Sequence, residues 1–212
     1  MKNVRGKEIY NTNEEKLIYY DAQCDFVIPG PKQFFLGKTA VKDDYFDEIL
    51  IPFCVQNKIQ SVLDVGAGYG RYAAKFINNK ILDVLAVEIT PRRTEYMRTT
   101  LDLFGYEVVK TECLDVDVSL PERVFDFIFM SDIVEHLERY RPVWRDCLAM
   151  SRYVYALIPK ENSWSWSDDH VTVFNDEKVL DLLSLSSGII RCDVIDFDDA
   201  NSWYTILVKG NL

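Results

Sequence analysis

The sequence predicts an α/β protein built on a doubly wound sheet of seven strands, and three observations carry that prediction. Residues 62–73, VLDVGAGYGRYA, read as a buried strand that breaks into a glycine turn and restarts as a helix. An acid, Glu88, closes the next apolar run about 20 residues beyond the turn. Strand-like and helix-like segments then alternate through the rest of the chain, as a sheet with helices on both faces requires.

Taken in order, the elements begin with an amphipathic helix: Val41, Tyr45, Ile49 and Phe53 recur at every fourth position. Tyr19-Tyr20 and Phe34-Phe35-Leu36-Gly37 precede it, and we expect residues 1–57 to form a mostly helical extension that covers the mouth of a domain spanning 58–212. The glycine turn leads into a helix over 71–76. ILDVLAVEIT is the second strand. Thr90 then caps a helix with Pro91 at its first position, Met97, Leu101 and Phe104 on its inner face and Gly105 as its stop. A third strand is expected over 106–111 and a fourth within VFDFIFMSDIVEHL. A helix over 139–151, a strand over 153–158 ended by Pro159, an Asn175-capped helix carrying Val179, Leu180 and Leu183, and strands over 189–197 and 203–208 complete the pattern.

The turn itself selects the ligand class. Glycine serves where the backbone takes positive φ or must approach a ligand without a Cβ, so main-chain N–H groups can be laid against a small molecule. A dinucleotide fingerprint needs G-x-G-x-x-G, and its third glycine is Arg71 here. A phosphate loop needs Gly-Lys-Ser/Thr, which does not follow the turn. What stands instead is D-x-G-x-G-x-G, with Asp64 two residues before Gly66. A carboxylate there repels a pyrophosphate and suits a cation bearing an amino group and a sulfonium.

On these residues the sequence resembles the class I S-adenosylmethionine-dependent methyltransferases from about Ile59 onward. The resemblance implies that Asp64, Gly66, Ala67, Gly68 and Tyr69 hold the methionine part of the cofactor, and that Glu88, with Ile89 beside it, takes the ribose hydroxyls. It places Asp115, with Asp117 as competitor, and Val116 at the adenine, and Met130, Ser131 and Asp132 at the carboxyl end of the fourth strand. Glu135-His136-Leu137 matches the ending typical of the branch that acts on small molecules. The family also makes the last strand antiparallel and has a Gly-Gly turn before the fifth strand; Ala149-Met150-Ser151-Arg152-Tyr153 lacks it.

Composition bounds the partners. The 212 residues are 48% hydrophobic, enough for a full core, and no run approaches the roughly 18 apolar residues of a membrane span. A formal charge of −10 disfavours a nucleic-acid partner, and the arginines at 92, 93, 98, 139, 141 and 145 read as solvated helix faces. Five scattered cysteines without C-x-x-C fit reduced thiols in the cytoplasm, and no metal ligand set is read from the sequence.

The expected reaction is methyl transfer to a small-molecule oxygen or nitrogen acceptor, releasing S-adenosylhomocysteine. His170, after the fifth strand, and secondarily His136 are the residues placed near the transferred methyl, with packing as the alternative role for each. Trp164 and Trp166 are candidates for an apolar lining. Two other classes share the fold: a nucleotide-dependent oxidoreductase and a cofactor-binding protein without turnover. The acceptor and the oligomeric state are not written in the sequence.

Overall fold

The central strands are buried almost without a break, so side chains that point alternately to the two faces of the sheet are covered on both. The structure is a computed structural model describing residues 10–22, 27, 29–31, 34, 40–160, 169–198 and 201–212. Its strands are β1 (Ser61–Val65), β2 (Asp83–Glu88), β3 (Lys110–Cys113), β4 (Phe125–Ser131), β5 (Ser151–Pro159), β6 (Gly188–Asp198) and β7 (Asn201–Lys209). They pair in the order β3-β2-β1-β4-β5-β7-β6. β7 runs antiparallel to both of its neighbours, and the other pairs are parallel.

The helices are α1 (Asn13–Ala22), α2 in three parts (Ala40–Tyr45, Phe46–Leu50 and Ile51–Gln56), α3 (Arg71–Asn78), α4 (Pro91–Leu103), α5 (Tyr140–Ala149) and α6 (Asp176–Ser184). Register sets Val62 beside Val84 and Phe127, and these residues pack with α2, α3 and α4. Leu63, Leu85 and Ile128 point to the opposite face, where Trp144 of α5 and Leu182 of α6 cover them. The Trp144 indole N–H donates to the Leu182 carbonyl at 3.1 Å, tying those two helices together. Each large side chain buried this way contributes about 1.5 to 3 kcal/mol.

Most expected elements are present, and the differences have local causes. Thr90 and Asn175 cap α4 and α6 through bonds from the Arg93 and Lys178 amides, as their positions suggest. The third strand starts later than expected, because the Val109 amide folds back to the Tyr106 carbonyl and delays β3 to Lys110. On α6 the inward positions are Val179, Leu182 and Leu183, whereas Leu180 is exposed. The missing Gly-Gly turn is replaced by a helix end in which the Met150 amide bonds Asp146 and the Ser151 hydroxyl bonds the Cys147 carbonyl.

The N-terminal helix departs most. α2 runs as Ala40–Tyr45, widens into a π-helical turn at Phe46–Leu50 and finishes as Ile51–Gln56. The Ile51 amide reaches the carbonyl five residues back, at Phe46. One extra residue in the turn moves the inner face by one position, so Phe46, Leu50 and Cys54 are buried where Ile49 and Phe53 were expected. Phe46 then meets Phe76 and Phe129 at centroid distances of 5.0 and 5.5 Å.

Gly70 supports the turn at its far end. Its φ is +82°, and a Cβ there would stand 2.7 Å from the buried Leu101 side chain. Gly70→Ala should therefore cost about 2 to 4 kcal/mol, the left-handed penalty and overpacking adding together. Urea unfolding of the variant checks this.

Candidate active site

The end of β2 builds the site by holding the turn that follows β1. Gly66 and Ala67 donate their amides to the Val87 carbonyl at 3.0 and 3.1 Å, and Gly68 donates to Glu88 Oε1 at 2.8 Å. Gly66, Gly68 and Gly70 all have positive φ. A Cβ on Gly66 would strike Ile133, whereas no atom lies within 4 Å of the Cβ position on Gly68. The backbone is thus bare on the side that faces a cleft of about 210 Å³.

Glu88 sits at the floor of this cleft and is nearly enclosed. Burial pushes its carboxyl up, while Arg93 and the amides of Gly68 and Ile89 pull it back. Each carboxylate oxygen accepts one main-chain bond and keeps lone-pair capacity for a ligand hydroxyl. Asp64 lies elsewhere. It shares a face with Val62, beneath the start of α3, and does not line the cleft. Its Oδ2 has no hydrogen-bond partner among the described residues. Burial and the neighbouring Glu88 push the Asp64 carboxyl up to about 7.

Beyond the end of β3, Val116 and both candidate acids line the cleft, but their carboxylates differ. Asp117 accepts from the amides of Glu138 and Arg139, fixing the approach to α5. Asp115 Oδ1 instead accepts from the Asp117 amide at 3.0 Å, within its own turn. Lys16 of α1 inserts between them, at 2.9 Å from an oxygen of each. Burial opposes the Lys16 charge, yet its bonds to Asp117 and Asp115 outweigh that and raise its pKa.

At the end of β4, Asp132 adopts φ +56° and enters the cleft lining, whereas Met130 is in the core and Ser131 turns to bond Asp132. Lys42 of α2 grips both Asp132 oxygens at 2.8 and 2.7 Å and lies 4.3 Å above the Trp203 ring. Ile89 lines the cleft; Ala67 and Tyr69 do not, Tyr69 packing on Tyr96. Five carboxylates line the cleft, Glu88, Asp115, Asp117, Asp132 and Asp169, and they outnumber the lysines and arginine that meet them, Lys16, Arg93 and, from outside the lining, Lys42, so the cleft favours a cation.

The two histidines come together. Their rings meet edge to face at 4.7 Å; His136 lines the cleft and His170 stands outside the lining. Between them is Glu135, fully buried, whose carboxyl burial and Asp132 push well above the ordinary range. Sequence reasoning missed Glu135, Lys16 and Lys42, because each acts through a partner distant in the chain. It also misread one arginine, since Arg93 lines the cleft; Arg139 is exposed as expected and donates to the Asp117 carbonyl. Phe35, Leu36, Gly37, Trp164 and Trp166 lie outside the described residues.

Comparison with known proteins agrees with this geometry. Residues 63–152 match the methyltransferase domain family. The N-methyltransferase NodS from Bradyrhizobium japonicum WM9, solved with S-adenosyl-L-homocysteine, has a TM-score of 0.67 at 13% identity, covering 95% of this chain and 100% of its own. An S-adenosylmethionine-dependent methyltransferase from Clostridium acetobutylicum ATCC 824 gives 0.65 at 14% identity, covering 94% and 99%. The [4+2]-cyclase SpnF gives 0.62 at 11% identity, covering 77% and 81%. No curated protein matches. The sheet order and the likeness to these structures give this chain the fold of the class I S-adenosylmethionine-dependent methyltransferases, and the methyltransferase domain match covers residues 63–152 of it.

S-adenosylmethionine is the cofactor of proteins of this class, and the residues present fit it: a bare backbone at Gly68, a nearly enclosed carboxylate at Glu88 and an excess of acids in the cleft that suits a sulfonium. In the free protein the raised Asp64 pKa has a defined effect on stability. The folded chain holds this proton more tightly than the unfolded chain, so the contribution of Asp64 is present below about pH 4 and is lost as pH rises through about 7. Asp64→Asn should accordingly stabilise the protein above pH 7, by at most ~4 kcal/mol, with the advantage shrinking toward pH 4. Thermal melts of both proteins across that range check the trend.

Proposed function

We propose that the chain transfers a methyl group from S-adenosylmethionine to the oxygen or nitrogen of a small-molecule acceptor by in-line displacement. The observation that carries this reading is the buried Glu88 carboxylate clasped by the Gly68 amide under an open glycine turn. When bound, the cofactor supplies an already activated sulfonium methyl. The protein then has to orient, exclude water and accept a proton. Glu88 takes the ribose hydroxyls, Asp115 the adenine amino group, and the buried charge of Asp64 favours the cationic end through the turn. Residues 58–212 form the cofactor-binding body, and residues 1–57 cover it, which the docking of Lys16 and Lys42 supports.

The acceptor's lone pair forms the new bond to carbon while the sulfur keeps the electrons of the old one. A hydroxyl or ammonium acceptor also gives up a proton, and Asp132, His136 and Asp169 are the cleft groups on that side able to receive it or pass it on. His170, ranked first from the sequence, would act behind His136. The net charge of −10 supports a small acceptor over a nucleic acid. No helix among the described residues is long and apolar enough to cross a membrane; with the scattered cysteines, this supports the cytoplasm as the site of action.

Calorimetry with S-adenosylmethionine, S-adenosylhomocysteine, NAD and NADH tests the cofactor. Binding of the first two in the low micromolar range or tighter is expected, and heat with the dinucleotides alone would overturn the reading in favour of an oxidoreductase. Glu88→Ala should weaken S-adenosylhomocysteine binding about tenfold to a hundredfold, the loss of ~1.5 to 3 kcal/mol from a charged hydrogen-bond acceptor. Unchanged affinity in a folded variant removes Glu88 from the ribose.

A further inference from the structure

We propose that Glu135, His136 and His170 form a binding site for one divalent transition-metal ion beside the cofactor cleft. One ligand atom from each of the three lies within 4.8 Å of the others. His136 Nε2 and His170 Nε2 stand 3.8 and 4.0 Å from the same oxygen, Glu135 Oε1. Donors around an ion with bonds of about 2.0 to 2.2 Å are separated by roughly 3.3 to 3.6 Å, so the two histidine-to-glutamate separations close by less than about 1 Å and the whole set, within 4.8 Å, by side-chain shifts of about 1 Å.

The chemistry of the donors calls for a cation. Glu135 is 1% exposed, and neither of its carboxylate oxygens has a hydrogen-bond partner among the described residues. His136 Nδ1 faces the Asp169 carbonyl at 3.2 Å and an Asp169 carboxylate oxygen at 3.4 Å. A ring nitrogen held between two acceptors carries the proton, which leaves the lone pair on Nε2, directed at Glu135. His136 thus turns an available donor atom toward the Glu135 carboxyl. The Asp169 contact is also the outer-shell support that metal-bound imidazoles have. Nor is the cluster an accident of a loose loop: Val171 and Thr172 donate their amides to the Glu135 carbonyl at 2.9 and 3.0 Å, fixing His170 against the turn that bears His136.

Two imidazoles and one carboxylate suit zinc, iron, cobalt or manganese. His136 and its partner Asp169 line the cleft, so an ion held here would stand beside the space open to an acceptor. On the methyl-transfer reading, such an ion would bind and acidify a hydroxyl acceptor, with His136 serving as ligand and not as base. Metal binding itself does not depend on that reading.

The test is titration of chelator-stripped full-length protein with Co²⁺, followed by its visible absorption, with competition by Zn²⁺. One equivalent should bind in the micromolar range or tighter. Glu135→Gln and His170→Ala should each weaken it at least tenfold while circular dichroism and S-adenosylhomocysteine affinity stay unchanged. His136→Ala, at the rim, provides a third variant should either of these fail to fold. Equal affinity in wild type and folded variants overturns the site, as does a sulfur-to-cobalt charge-transfer band, which would assign the ion to the exposed thiols of Cys113 or Cys192. Loss of S-adenosylhomocysteine binding in the wild type would instead count against the methyl-transfer reading and leave the metal result standing.

Discussion

Everything at the carboxyl end of the sheet depends on β2 accepting hydrogen bonds from the turn after β1. The Val87 carbonyl and the Glu88 carboxylate together take three consecutive amides, those of Gly66, Ala67 and Gly68. This is available only because β1 and β2 are parallel and in register, Val65 beside Val87, so the exit of one strand lies against the end of the other. The same bonds that hold the loop leave its outer backbone bare. Structure and ligand cradle are here a single set of contacts.

Charge is arranged around that frame in pairs. The acids that ring the cleft would repel one another if left alone, and a lone buried charge destabilises by several kcal/mol. Lys16 answers Asp115 and Asp117, Lys42 answers Asp132, and Arg93 approaches Glu88 at 3.7 Å. Both lysines come from the N-terminal helices. Cover and cleft are thus joined by ion pairs, backed by the Trp203 indole donating to Asp132 at 3.0 Å and by Arg93 donating to the Tyr20 carbonyl at 2.8 Å.

What could be read from the sequence is what is encoded locally. The glycine turn, Glu88 at a strand end and the caps at Thr90 and Asn175 each depend on residues a few positions apart, and each is found where it was expected. The partners of Asp115 and Asp132 could not be found that way: about a hundred residues separate Lys16 from Asp115 and ninety separate Lys42 from Asp132. A lysine on a helix gives no sign of which carboxylate it will meet. The π turn in α2 is likewise silent, since Val41, Tyr45, Ile49 and Phe53 have regular helical spacing and only packing around Phe46 favours the extra residue. His136 and His170 are each unremarkable in sequence; Glu135, brought between them by the loop return at Val171, makes the pair a chemical unit.

The place of β7 bears on how this chain reaches its native state. β6 pairs with β7 alone, and β7 fills the gap between β6 and β5 in antiparallel sense. The β6–β7 hairpin closes a short loop and can form on a microsecond scale, whereas joining β1 to β4 means closing some sixty residues of chain. Folding of the sheet then becomes a docking problem between two unequal parts, a quick ribbon and a slow parallel body. Until they meet, β5 presents a bare edge of Val154, Ala156 and Ile158, the stretch of this protein most open to mispairing with a neighbour during synthesis.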